Sequence, residues 1–440
     1  MQDFKDKDHR GRRLGSAVQG QEGRNAFKKL KETKRTKRRL KIILPILALL
    51  FASYPIISLC SSPHVNPSPS PKTPLALSGV DNWSAFRLAA ESYPNASVQG
   101  GVFSSPLPQG GKVVYAINEA MQRRVEKLLN DFKVPYGIFV AIEPKTGRIL
   151  ATVSHSSIQP GWEKGAYYHL YPMASLFKIV TATAALEEKK VSADTPFAFN
   201  GRSASQSPKY WRVKVGRGSQ QMPLSTAMGK SVNPVFGRLA AEVVGRDPLL
   251  LYAQRYGFNQ NIFPGSPVTP SRAPAPGTID QLMLMGAGLN HEVKISPLHA
   301  AAIMATVANG GVMMAPSLAQ EIVDAKGIAV FTQKPQQLRT VTTPETAASL
   351  ARMLSSTVIS GTSRKAFHDS RGRPMLASLR VAAKTGSIDG TDPAGHYSWF
   401  VAYAPMEDPQ IAIAALVINQ DKWRIKATNV GEQALEAFFR

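Results

Sequence analysis

Strand-like sequence falls in two clusters far apart along the chain, and this spacing constrains the fold more than any other feature. Residues 137–142 and 148–153 flank the turn Glu143-Pro144-Lys145-Thr146-Gly147 and read as an antiparallel hairpin. A short strand at 113–117 precedes them, and further apolar runs return at 379–383, 397–404 and 410–419. The stretch 191–310 alternates Pro/Gly loops with helical runs, notably 234–245 and 297–309. Helical periodicity also marks 119–132, with Met121, Val125, Leu128 and Leu129 on one face, and the terminal segment 428–439. Strands, then mostly helices, then strands again predict an α+β fold. Its central antiparallel sheet is covered by helices and split in sequence by a mostly helical inserted subdomain. With 440 residues, 43% of them hydrophobic, the chain is long enough to bury a sizeable core. Its single cysteine, Cys60, excludes an intrachain disulfide.

The net charge of +23 is unevenly spread. Residues 1–41 hold fifteen Lys/Arg against five Asp/Glu. Such a tail resembles a nucleic-acid arm until the next segment is read. Residues 42–59 are free of charge and lie at the short end of the roughly 17–25 residues that cross a bilayer. Basic residues crowd the amino side of this run, whereas the carboxyl side has no Lys or Arg before Lys72. That asymmetry predicts a single-pass membrane helix with a cytoplasmic amino terminus and the rest of the chain outside. No nucleic-acid role is then needed. The long basic leader argues against a cleaved signal peptide. Leu59 is larger than the small residue expected before a lipidated cysteine, which argues against lipidation of Cys60. The Pro/Ser tract 61–74 reads as an extended spacer, and 75–111 as an irregular covering without its own fold. The expected organisation is a basic cytoplasmic tail (1–41), a transmembrane anchor (42–60), a linker and irregular segment (61–111) and one large domain (112–440).

Three short pieces carry chemistry. Ser175-Leu176-Phe177-Lys178 sets a hydroxyl and an amine three residues apart, on one face of a predicted helix over 175–190. A serine hydroxyl is a weak nucleophile near neutral pH and needs a base. Lys178, among Phe177, Ile179 and Val180, becomes one if desolvation strips its proton. Ser231-Val232-Asn233 offers a second hydroxyl and an amide, with a plain helix cap before Pro234 as the competing explanation. Lys384-Thr385-Gly386-Ser387 ends an apolar strand with a cation, two hydroxyls and a bare backbone, a combination suited to a carboxylate. Each motif alone is weak. A second Lys-Thr-Gly at 145–147 sits in a hairpin turn and reads as structural. Order, wide spacing and setting carry the signal. No histidine joins a Gly-x-Ser-x-Gly elbow or a metal-ligand spacing, so neither a metal nor another cofactor is expected. His155, His291, His299 and His396 are read as structural.

Over residues 112–440 the chain resembles the penicillin-binding proteins, the serine D,D-transpeptidases of peptidoglycan synthesis. The resemblance extends to Tyr171-Pro172-Met173-Ala174 before the nucleophile and to Ile295-Ser296-Pro297-Leu298-His299-Ala300 with Ala308-Asn309-Gly310-Gly311. It also covers His396-Tyr397-Ser398-Trp399-Phe400-Val401-Ala402-Tyr403-Ala404-Pro405. It implies that Ser175 attacks a D-Ala-D-Ala stem peptide to form an acyl-enzyme, with Lys178 as base. Ser231 would relay a proton to the leaving amine and Asn233 would hold the substrate amide. Lys384, Thr385 and Ser387, around Gly386, would bind the terminal carboxylate, and the backbone N–H groups of Ser175 and Ser387 would form the oxyanion hole. β-Lactams would acylate Ser175 as mimics, and an amine acceptor or water would release the acyl group. Other cell-wall synthesis proteins are expected as partners. The stretch between the apolar run and Lys112 is too short for a glycosyltransferase domain. Two alternatives stay open: a D,D-carboxypeptidase or β-lactamase-like hydrolase, and a non-catalytic β-lactam sensor or scaffold. No acidic residue is assigned as a deacylating base.

Overall fold

The computed structural model describes residues 80–212, 216, 218–420 and 422–440. The predicted cytoplasmic tail (1–41), the membrane anchor (42–60) and the Pro/Ser spacer (61–74) lie outside the described residues. Among those described, no helix is long and apolar enough to cross a membrane.

The first elements are helix α1 (Asn82–Ser92), strands β1 (Ser97–Gln99), β2 (Val102–Pro106) and β3 (Lys112–Tyr115), and helix α2 (Glu119–Asp131). Strands β4 (Tyr136–Ile142) and β5 (Ile149–Ser156) form the expected hairpin. Helices α3 (Lys178–Glu187), α4 (Leu224–Gly229), α5 (Asn233–Arg238), α6 (Ile279–Ala287), α7 (Pro297–Ala308) and α8 (Pro344–Ile359) follow, with strands β6 (Ala319–Val323) and β7 (Ala329–Thr332) between α7 and α8. The chain closes with β8 (Ala382–Thr391), β9 (Ala394–Ala404), β10 (Ile411–Asn419) and α9 (Ala427–Phe439).

The central sheet has the order β8-β9-β10-β4-β5, antiparallel throughout. The two distant strand clusters therefore meet where β10 pairs with β4, with Ala414 opposite Val140. All nine residues of β10 are buried, because both sheet faces are covered. Ala412, Ala414, Leu416 and Ile418 enter the core shared with the helical subdomain, whereas Ile411, Ile413, Ala415 and Val417 enter the core under α2 and α9. This explains runs too uniformly apolar to alternate in the sequence. α2 starts at Asn118, whose side chain accepts the Met121 N–H, and α7 starts at Ser296, which accepts from His299.

Three expectations need correction. Residues 82–106 are not an irregular covering: α1, β1 and β2 are integral, and β1-β2-β3-β6-β7 form a second antiparallel sheet with two strands drawn from the insertion. Strands of three to five half-exposed residues carry too little apolar signal to be seen in sequence. The strand expected at 379–383 begins instead at Ala382 and runs to Thr391, so Lys384 lies inside it and not at its end. β8 is the sheet's edge, and its outer half leaves the core with Ser387 and Asp389 exposed, so an apolar run marks only its start. The helix expected over 175–190 is a 3₁₀ turn, Ala174–Phe177, followed by α3.

Phe86 of α1 is 1% exposed and packs its ring 6.2 Å from that of Tyr168. Phe86→Ala should therefore lower unfolding stability by about 3–5 kcal/mol in urea titrations. An unchanged midpoint would return this segment to the status of a linker.

Candidate active site

Two buried lysines organise the centre of the molecule. Ser175 lies in the 3₁₀ turn before α3, in which residues i and i+3 eclipse one another. Lys178, the first residue of α3, thus comes directly over it, with Nζ 2.8 Å from Ser175 Oγ. The turn is entered through Ala174, which is held in the left-handed region at φ +54°, a strained state for a residue with a side chain. Gly288, at the C-cap of α6, permits this: a Cβ there would lie 2.2 Å from the Ala174 carbonyl oxygen and 2.8 Å from Ser175 Cα. From the other side, a Cβ on Gly386 of β8 would lie 3.1 Å from Ala174 Cβ and 3.4 Å from Ser175 N. The glycine of the third motif lets the strand approach the backbone of Ser175 itself.

Lys178 is fully buried. Besides Ser175, its Nζ meets Asn233 Oδ1 at 2.8 Å and the Ala287 carbonyl oxygen at 2.5 Å. Both oxygens only accept. A neutral amine has two N–H donors and one lone pair, so these two contacts use its protons and leave the lone pair facing Ser175. Burial pushes the Lys178 pKa well below the ordinary lysine value, and the charge of Lys384 pushes in the same direction. Asn233 is held in turn: its Nδ2 donates to the Ser205 carbonyl at 3.1 Å and its N–H to the Ser203 carbonyl at 2.8 Å.

The second and third motifs meet across the cleft. Lys384, also fully buried, donates from Nζ to Ser231 Oγ and to the Thr385 carbonyl, both at 2.8 Å. Burial lowers its pKa to about 7. Ser231 sits at φ +56°, and the N-cap of α5 is Val232, without a side-chain bond. The simple capping explanation for Ser231 and Asn233 therefore fails: their side chains serve the two lysines. Thr385 is half-buried and Ser387 exposed. Ser387 borders a 240 Å³ pocket that Gln206, His291 and Asp389 also line.

All the predicted residues, Ser175, Lys178, Ser231, Asn233, Lys384, Thr385, Gly386 and Ser387, thus lie on elements that converge on one cleft. The Lys145 copy of Lys-Thr-Gly lies apart, paired with Asp408. His299 is buried between Ser271 Oγ and the Tyr256 carbonyl; desolvation lowers its pKa to about 4 although the Tyr256 carbonyl works in the opposite direction. Among the described residues no cluster of His, Cys, Asp or Glu could hold a metal. The Ala287, Ser203 and Ser205 carbonyls were missed, since a backbone acceptor leaves no mark in side-chain identity. Gly288 after the apolar run of α6 was the one available hint.

A serine and a desolvated lysine in bonding contact, flanked by a Ser–Lys pair under a sheet edge, define an active-serine domain built without histidine. Residues 137–437 match the penicillin-binding protein transpeptidase domain, and the chain belongs to that family. It is 28% identical over 349 residues to the peptidoglycan D,D-transpeptidase PbpA of Mycolicibacterium smegmatis, covering 72% of this chain and 69% of that protein. The crystal structure of PBPA from Mycobacterium tuberculosis shares the fold, with a TM-score of 0.63 at 24% identity over 76% of this chain and 83% of that one. Its imipenem acyl-enzyme complex gives a TM-score of 0.63, covering 76% and 80%.

Because Lys178 is deprotonated more readily in the folded chain than in the unfolded one, the folded state binds fewer protons between that depressed pKa and 10.5. Its contribution to stability therefore rises with pH across this window. Lys178→Met should flatten the dependence by up to about 1.4 kcal/mol per pH unit. Urea midpoints of both proteins from neutral to alkaline pH measure this, and parallel curves would show that Lys178 is not depressed.

Proposed function

We propose that this protein is a membrane-anchored peptidoglycan D,D-transpeptidase that works through an acyl-enzyme on Ser175. The observation that carries the reading is the contact of buried Lys178 with Ser175, Asn233 and the Ala287 carbonyl. Ser175 Oγ attacks the carbonyl of the penultimate D-Ala of a stem peptide while its proton passes to the Lys178 amine. Negative charge on the carbonyl oxygen is met by the backbone N–H groups of Ser175 and Ser387. As the C–N bond breaks, the leaving D-Ala amine takes a proton through Ser231, which the neighbouring Lys384 ammonium keeps supplied. The terminal carboxylate rests against Lys384, Thr385 and Ser387, and Asn233 holds the peptide amide. An amine from a second stem peptide then attacks the ester and gives its proton through Ser231 back to Lys384, while the Lys178 ammonium returns its proton to the departing Ser175 Oγ, which completes the cross-link and resets both lysines. β-Lactams enter the same path and stay attached.

The membrane anchor at 42–60 and an extracytoplasmic domain follow from the charge step around the apolar run, and the basic tail 1–41 then serves as a topology signal. Association with other cell-wall synthesis proteins is part of the same reading.

A fluorescent penicillin should label the wild-type protein covalently and leave Ser175→Ala unlabelled. Equal labelling of both would remove Ser175 from the mechanism. The second-order acylation constant should rise with pH as Lys178 loses its proton and fall again as Lys384 loses its own, with the descending limb near pH 7. With a stem-peptide donor, cross-linked product in the presence of an amine acceptor supports transpeptidation. Free D-Ala and trimmed donor alone would make the protein a carboxypeptidase.

A further inference from the structure

The second and third motifs are joined by a segment outside all three, the turn that follows α8. Ser356, in the last turn of α8, lies against Gly229 at the end of α4, where a Cβ would fall 2.7 Å from the Ser356 carbonyl carbon. Gly361 approaches Gly229 just as closely, and a Cβ there would lie 2.1 Å from the Gly229 oxygen. Two residues beyond Gly229 stands Ser231. Thr362 completes the junction: its N–H donates to the Gly229 carbonyl at 3.0 Å, and its Oγ1 lies 2.5 Å from Thr385 Oγ1. The neighbouring Ser363 is fixed by donating its N–H and its hydroxyl to the Thr357 carbonyl at 3.1 and 3.0 Å.

We propose that Thr362 is a positioning residue that sets the direction of the Thr385 hydroxyl, so that Thr385 donates its proton to the ligand carboxylate; this rests on the transpeptidase reading above. A hydroxyl has one proton and two lone pairs. The Thr362 hydroxyl has two oxygens within reach, but the Gly229 carbonyl is 3.4 Å away and already accepts the Thr362 N–H. A contact of 3.4 Å is long for O–H···O, whereas 2.5 Å is at the short end of the range. The Thr362 proton therefore goes to Thr385 Oγ1. Thr385 is left with its own proton, directed at whatever enters the cleft. Thr362 is exposed and Thr385 half-buried, so a carboxylate can reach the pair and displace water from it. Once it binds, Thr362, Thr385 and the anion form a chain of hydrogen bonds that polarise in one direction, with the charge-assisted bond at the end. Without the Thr362 hydroxyl, Thr385 turns its proton to other acceptors and the carboxylate loses an aligned donor.

The test compares acylation by benzylpenicillin with acylation by its methyl ester, which presents no carboxylate. The ratio of the two rate constants reads carboxylate recognition alone, since any loss of folded protein cancels. Thr362→Val should lower that ratio roughly 10-fold. Thr362→Ser, which keeps the hydroxyl, should restore it. Thr385→Val should lower the ratio similarly, and the double variant should fall no further, because both remove the same chain. If Thr362→Val keeps the wild-type ratio, or if the two losses multiply, the assignment is wrong. A wild-type protein that neither compound acylates would overturn the transpeptidase reading and this inference with it.

Discussion

Withdrawal of one ammonium group from water shapes the rest of the site. Lys178 occupies a position from which solvent is excluded, so its charged form is disfavoured, and the nearby charge of Lys384 adds to the penalty. A neutral amine in that place still needs two acceptors. The fold provides Asn233 Oδ1 and the carbonyl at the end of α6, and the remaining lone pair meets Ser175. In the proposed mechanism Lys178 stands where a histidine base would, because burial, not a carboxylate partner, lowers its proton affinity.

That arrangement explains several costs elsewhere in the molecule. Ala174 and Ser231 both stand in the left-handed region, a conformation that costs on the order of 1–3 kcal/mol per residue. Ala174 precedes the hydroxyl that meets Lys178, and Ser231 carries the one that meets Lys384. Gly288 and Gly386 admit backbone where a methyl group would collide, one from the helical subdomain and one from the sheet edge. The central sheet supports this by being sandwiched on both faces, with β10 wholly buried and β8 left as the edge that lines the cleft. A rigid interior strand and an open edge strand thus do different jobs in one sheet.

Sequence reasoning reached most of this because side-chain chemistry and apolar runs are written in residue identity. Ser175, Lys178, Ser231, Asn233 and Lys384 were legible as an ordered set, and the covered strands 397–404 and 410–419 were legible as uninterrupted apolar text. What escaped falls into two physical kinds. Backbone acceptors such as the Ala287 carbonyl, and the Thr362 junction, depend on tertiary approach that no local pattern encodes. Short or outlying elements, such as β1, β2 and the outer half of β8, are half-exposed and mix polar with apolar residues. Their places come from pairing partners distant in the chain, so a window of a few residues cannot separate them from loops.

The central claim is that burial makes the amine beside Ser175 give up its proton well below the ordinary lysine range. Carbon-13 NMR of protein carrying ε-labelled lysine tests it directly, with the Lys178 signal assigned by its absence in Lys178→Met. The account predicts a Cε resonance that moves from the ammonium to the neutral-amine position at a pH well below the ordinary value of 10.5. A Lys178 resonance that keeps the ammonium shift until pH approaches 10 would contradict it.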